Sequence, residues 1–174
     1  MNKFSDIKIE SKRLSLIPVN LKYVDEIVTH FQPEITNYMW PRTPKTQEEV
    51  EKHIKSQIEK MKNKSELMMV ILLKKNQEFL GIVSLHQVNT QYPELGVWLK
   101  QLAHGNQYGR EAVQALIKWA EENLIYKYLK YPVDKRNKPS CKLAESLGGK
   151  VEDEYVKKSE SGFILDEVEY RFHS

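Results

Sequence analysis

The sequence predicts a mixed α/β layer, and three observations carry that expectation. Apolar residues switch between helical and strand spacing along the chain, in the order strand, two helices, three strands, helix, strand, helix, two strands. Leu67 to Val88 reads as two apolar strands joined by the polar turn Lys74-Lys75-Asn76-Gln77-Glu78, an antiparallel hairpin. Leu95-Gly96-Val97-Trp98-Leu99 runs into Gly105-Asn106-Gln107-Tyr108-Gly109-Arg110-Glu111-Ala112 and then a long amphipathic segment, which reads as strand, glycine loop and helix start.

Ile7 to Val19 reads as a strand, with Leu14 and Leu16 alternating with Arg13 and Ser15, ended by Pro18. Val24, Ile27, Val28 and Phe31 fall on one helical stripe. Phe31 to Lys45 is a loop with three prolines, carrying Tyr38, Met39 and Trp40. Thr46-Gln47-Glu48-Glu49 is a capping box that starts a second helix, with Val50, Ile54, Ile58 and Met61 on its apolar face. After the hairpin, Glu94 to Leu99 forms another strand. A helix follows to about Asn123, with Val113, Leu116, Ile117, Ala120 and Leu124 inward. Tyr128 to Val133 is a strand. A short helix from about Lys138 to Leu147 ends at Gly148-Gly149. Strands around Lys150 to Val156 and Ile164 to Phe172 complete the chain, and nothing divides residues 1–174 into more than one domain.

The chain has 174 residues, 40% hydrophobic and 29% charged, with a formal net charge of +3. That charge is too small to argue for nucleic acid, although Lys100, Arg110, Lys118, Lys127, Lys130, Lys135, Arg136, Lys138 and Lys142 gather in the middle. Acidic residues gather after Gly149. The asymmetry is either solvated surface or a fit to an anionic ligand in the middle and a cationic one towards the C-terminus. Cys141 is the only cysteine, so neither an internal disulfide nor a cysteine-based zinc site can form, and no metal is expected. Met1 to Asp6 lacks the apolar core of a signal peptide, and no run is long enough to cross a bilayer. A cytoplasmic setting and no membrane partner are expected.

The Gly105 to Ala112 segment has either of two uses. It is an ordinary strand-to-helix turn, or a set of backbone donors converging on a phosphate at a helix N-terminus.

Taken together, Glu10-Ser11-Lys12-Arg13-Leu14, Tyr38-Met39-Trp40-Pro41, Glu94 to Leu99, Gly105 to Ala112, and Asn137-x-x-Ser140-x-x-Leu143-x-x-x-Leu147-Gly148 resemble, in order and spacing, the GNAT superfamily of acetyl-CoA-dependent N-acetyltransferases. Within it, the chain is most similar to the branch that acetylates ribosomal-protein N-termini and includes polyamine relatives. The resemblance implies a mostly antiparallel central sheet with helices on both faces, and a splayed pair of central strands that admits the pantetheine arm. It implies acetyl-CoA as co-substrate and direct attack by a primary amine. It also implies a backbone donor for the thioester carbonyl at Val97, Trp98 or Leu99, and a diphosphate site at Gly105, Asn106, Gln107, Tyr108, Gly109 and Arg110. Asn137 and Ser140 would contact CoA, and Ser140 would protonate the thiolate. Glu94 and Glu160 are the candidate bases, and Tyr38 and Trp40, with His53, would line the acceptor mouth.

Each of these has a plainer reading. Asn137 caps a helix, Glu94 and Glu160 are exposed acids, Tyr38 and Trp40 are core aromatics, and Pro132 in the second splayed strand ends it. Three departures from the family pattern stand out. Gln107 replaces the second loop glycine and would crowd the diphosphate, with Gly109 restoring freedom. Gly149 replaces an aromatic and would loosen packing. Ala144 stands where many members carry a tyrosine acid. They admit an alternative, a CoA-binding regulatory module without turnover. A ribosome-surface or RNA-binding protein is a third reading, but no RNA-binding motif supports it and no direct nucleic-acid partner is expected. The acceptor's identity and the oligomeric state, a homodimer included, stay open.

Overall fold

The computed structural model describes residues 4–174. Met1, Asn2 and Lys3, the start of the segment read for a leader, lie outside the described residues. The elements are β1 (Ile9–Glu10), β2 (Leu14–Pro18), α1 (Val24–His30), α2 (Pro33–Thr36), α3 (Gln47–Lys62), β3 (Leu67–Leu73), β4 (Glu78–His86), β5 (Glu94–Leu99), α4 (Tyr108–Asn123), β6 (Tyr128–Asp134), α5 (Lys138–Ser146), β7 (Lys150–Lys158) and β8 (Ile164–His173). The strands form one eight-stranded sheet in the order β1-β2-β3-β4-β5-β6-β8-β7. Every neighbouring pair is antiparallel except β5 and β6.

Two elements depart from the sequence reading. Ile7 to Val19 is not one strand. The Ser11 hydroxyl accepts the Leu14 N–H at 3.1 Å, and the Ser11 N–H donates to the Leu14 carbonyl at 3.0 Å, so the chain folds back and β1 pairs with β2. Local side-chain bonding of this kind competes with an extended run and leaves the alternation intact on either side. The proline-bearing loop contains the single turn α2, which Pro33 opens at its first position. The capping box forms on one arm only. Thr46 Oγ1 accepts the Glu49 N–H at 3.3 Å, while Arg42, 3.0 Å from the Glu49 carboxylate, helps draw that side chain to the Lys45 N–H instead.

Alternation places helices on both faces. Trp98 packs its ring on Phe31 at the end of α1, centroids 4.8 Å apart, on the side where α3 lies beside α1. Leu99 points the other way. There a Cβ on Gly109 of α4 would stand 3.5 Å from Leu99 Cδ1 and 3.4 Å from Leu143 Cδ1 of α5. The core between these layers is anchored by Leu14, Leu16, Ile54, Met69, Ile71, Leu116 and Leu129, all fully buried.

Gly149 does not loosen the packing. A Cβ there would sit 2.8 Å from Phe172 Cζ and 3.0 Å from the Ala144 carbonyl oxygen, so the Phe172 ring from β8 already fills the space expected of an aromatic at 149. Nor does Gly109 supply backbone freedom. It is a buried helical residue whose role is the close approach to Leu99 and Leu143.

Candidate active site at the opening between β5 and β6

β5 stays zipped to β4 from Gly81↔Leu99 to His86↔Glu94, and β6 stays zipped to β8 from Tyr128↔His173 to Asp134↔Glu167. β5 and β6 meet only at Glu94↔Lys130, where the Lys130 N–H reaches the Pro93 carbonyl at 2.8 Å. Beyond that point the strands diverge. In an antiparallel pair both backbone groups of a residue point to the same neighbour, and the next residue points away. The Lys100 N–H donates to the Leu80 carbonyl at 2.8 Å, so Trp98 and Gly96 face β4. Val97 and Leu99 therefore face the gap. The His104 ring meets the Leu99 carbonyl at 3.0 Å, and Val97 has no strand partner on that side. Pro132 shares the parity of Lys130, so its missing donor also faces the gap and costs β6 no bond to β8.

One end of the gap adjoins the glycine loop. Among the described residues, the backbone N–H groups of Gly105, Asn106, Gln107, Tyr108, Gly109 and Arg110 have no protein acceptor. Gly105 holds φ at +80°, with open space where a Cβ would be. Gln107 takes φ +61° as the residue ahead of α4, so the left-handed step expected of glycine is made by glutamine. The loop is stapled to the β1–β2 turn. Glu111 accepts the Arg13 N–H, the Arg13 Nε–H and the Ser11 hydroxyl, each at 2.7 Å. Arg13 also donates to the Asn106 carbonyl at 3.0 Å and covers the Tyr108 ring.

Burial opposes ionisation of Glu111, but these Arg13 and Ser11 donors outweigh it and hold its carboxyl below the ordinary 4.5. A depressed carboxyl stabilises the fold fully above the unfolded value and loses that contribution as pH falls through the folded one. Glu111→Gln is expected to cost about 2 kcal/mol at neutral pH and to flatten the acid limb of stability against pH, as read by melting temperature.

Arg110, read from the sequence as a partner for phosphate at a helix start, extends towards α5. Its Nε donates to Ser146 Oγ at 3.0 Å, and its charge stands by the C-terminal carbonyls of that helix. Asn137 caps α5, accepting the Ser140 N–H at 3.3 Å. Both line the cleft below the gap. Ser140 also lies beside the Tyr131 side chain, which sequence reasoning did not single out. Burial raises the Tyr131 hydroxyl to about 12, despite the Ser140 contact. Tyr131 alternates inward on β6, so core packing masks any other role in the sequence. Cys141 turns away towards the Asp134 carbonyl, 3.9 Å from its Sγ.

On the α1–α3 side the gap opens into a cleft of about 900 Å³. Tyr38 and Trp40 stand exposed at its mouth, with the Arg136 guanidinium over the Tyr38 ring. Glu160, from the loop between β7 and β8, clasps this aromatic segment. Its N–H donates to the Trp40 carbonyl at 2.9 Å, and its carboxylate accepts the Arg42 N–H at 3.0 Å. Glu94 lies on the cleft wall, 3.7 Å from Lys130 Nζ. Glu167 lies deeper, 2.9 Å from Lys157 Nζ. Burial pushes its carboxyl up despite that lysine. His53 stands on the α3 wall in contact with water, yet desolvation by the surrounding protein lowers its pKa from the ordinary histidine value.

Two further lining residues, Ser84 and His86, and Glu66 behind them escaped the sequence reading. On β4, His86 joins Ser84 Oγ through Nε2 at 3.0 Å and the Glu66 carboxylate through Nδ1. The sequence signal was a polar pair, Ser84 and His86, two apart after the apolar run Phe79 to Val83.

Residues 13–150 match the family model described as an acetyltransferase (GNAT) domain. No curated protein matches the chain. Among solved structures, the chain is similar to the ribosomal-protein-S5-alanine acetyltransferase from Vibrio fischeri, at 20% identity and a TM-score of 0.81, with 97% of each chain covered. It is similar to a GNAT-family acetyltransferase from Bacillus anthracis, at 17% identity and a TM-score of 0.82, covering 96% of this chain and 98% of that one. It is also similar to spermidine N-acetyltransferase from Vibrio cholerae in complex with CoA and spermine, at 16% identity and a TM-score of 0.82, covering 94% and 96%.

Proposed function

Because the chain belongs to the GNAT acetyltransferase family, we propose that residues 1–174 work as one N-acetyltransferase domain that acetylates a primary amine on a peptide or polyamine-like chain. The observation that carries this reading is the run of unpaired N–H groups at Gly105 to Arg110 beside the unzipped strands β5 and β6. Six donors at a helix start suit a diphosphate, and an open strand gap suits an amide-bearing arm that needs backbone partners.

Acetyl-CoA supplies the activated acetyl carbon and a thiol leaving group. The Val97 N–H stands where it can polarise a carbonyl in the gap. Asn137 and Ser140 border the same gap, and the Ser140 hydroxyl, backed by Tyr131, can deliver a proton to a thiolate there. Cys141, directed at Asp134, is given no covalent part, so the amine attacks directly. Tyr38 and Trp40 form apolar walls for the acceptor, and Glu94 and Glu160 place carboxylates on the lining where a cationic chain can meet them. The clasp at Trp40 and Arg42 gives Glu160 a shaping role at the mouth.

The test is thiol release from acetyl-CoA with spermidine and with a short alanine-initiated peptide. Acceptor-dependent release is expected from at least one of them. CoA-induced thermal stabilisation with no release for either amine would instead favour the non-catalytic CoA-binding module.

A further inference from the structure

We propose that Ser84, His86 and Glu66 form a proton relay that deprotonates the acceptor amine as it attacks, an inference that rests on the acetyl-transfer reading above. The three side chains come from two strands' worth of chain. Ser84 and His86 lie on the same face of β4, and Glu66 sits in the turn leading into β3. Ser84 is buried and His86 partly exposed, so the line runs from the inside of the cleft towards its wall.

Gly96 brings the relay to the reaction. It pairs with Ser84 across β4 and β5 and precedes Val97, whose N–H faces the gap. A Cβ at Gly96 would stand 2.8 Å from Ser84 Oγ. Glycine therefore leaves the hydroxyl open beside the position of the carbonyl donor. Glu94, the cross-strand neighbour of His86, is engaged with Lys130.

The Glu66 carboxylate accepts from Nδ1–H, so in the neutral ring the Nε2 lone pair accepts the Ser84 hydroxyl proton. The Ser84 oxygen is then free to accept from an amine. As the N–C bond forms, the amine proton passes to the Ser84 oxygen and the Ser84 proton to His86 Nε2. The C–S bond breaks, the thiolate takes the Ser140 hydroxyl proton, and water in the cleft returns a proton to Ser140. The imidazolium, held by Glu66, returns its proton to water at the cleft. Glu66 is a positioning residue; Ser84 and His86 handle the proton. Desolvation raises Glu66, but the His86 contact and nearby Lys60 leave it below the usual carboxylate value, so it stays charged. The other groups around His86 are His53 of α3, Glu94 of β5 and Glu160 of the β7–β8 loop.

The test measures kcat against pH with spermidine and the alanine-initiated peptide for His86→Gln, Ser84→Ala and Glu66→Gln, after CoA-induced melting shifts establish that each variant is folded. His86→Gln and Ser84→Ala are expected to lose about a hundredfold in kcat, with KM for acetyl-CoA unchanged. Glu66→Gln is expected to lose less and to move the acid limb of the profile to lower pH, because the neutral amide no longer stabilises the imidazolium. A merely structural Glu66 would leave that limb in place. Normal kcat and pH profile in His86→Gln and Ser84→Ala, beside an active parent protein, would overturn the relay and leave the acetyltransferase reading standing. Nitrogen-15 spectra of the histidine rings test it without turnover. The neutral His86 ring is expected to carry its proton on Nδ1, and a proton on Nε2 would also overturn the relay.

Discussion

Val97→Pro is expected to lower kcat by about 10²- to 10³-fold, the typical loss on removing one donor to a developing oxyanion, with CoA still stabilising the protein. A proline in the middle of a sheet normally breaks a ladder bond. At Val97 it breaks none, because β5 bonds to β4 through Gly96, Trp98 and Lys100 while the Val97 N–H faces the open gap. The residue before it, Gly96, is already in a strand, as a pre-proline residue prefers. Loss of kcat with an intact CoA-dependent melting shift is the expected pattern. An unchanged kcat would place the carbonyl donor elsewhere.

Gly105→Val is expected to remove the CoA-dependent melting shift and weaken CoA binding by about tenfold or more. No side chain lies within 4 Å of a Cβ at 105, so crowding does not contribute. The cost comes from φ +80°. A β-branched residue in left-handed backbone is strained by roughly 1–2 kcal/mol or more, and about 1.4 kcal/mol is tenfold in affinity. The chain relieves that strain by turning the loop, which displaces the unpaired N–H groups of residues 105–110. Normal CoA stabilisation of Gly105→Val at matched concentration would mean that the loop does not hold the diphosphate.

Much of the fold was legible because periodicity survives local detail. The hairpin of β3 and β4, the amphipathic α4 and the Gly148 helix stop all stand where the pattern puts them. The β1–β2 turn was hidden because Ser11 makes its bend with a side-chain bond and leaves no glycine or proline to mark it. The parting of β5 and β6 was marked only by Pro132, and parity alone tells on which side its missing donor falls. The three departures from the family pattern also needed three dimensions. Gln107 adopts the glycine-like angle itself, Phe172 arrives from the far end of the chain to fill the space over Gly149, and Tyr131 reaches Ser140 from β6 although position 144 is alanine. The central basic run likewise changes meaning. Lys130, Lys135 and Arg136 are spent on Glu94, on Glu154 with Asp166, and on Asp134, which leaves less free charge for phosphate than the sequence suggests. Ser84, His86 and Glu66 escaped notice because Glu66 joins the other two only through the pairing of β3 with β4.

If acetyl-CoA lies across the Gly105–Arg110 loop and the gap at Val97, the amides of both must respond to it. Amide hydrogen exchange of the full chain, with and without saturating CoA, tests it most directly. In the free protein the amides of residues 105–110 and Val97 are expected to exchange rapidly, because no protein acceptor holds them. CoA should slow the loop amides, and Val97 with them when acetyl-CoA is used. Protection confined to other segments, with these amides still exchanging at their free rates, would contradict the account.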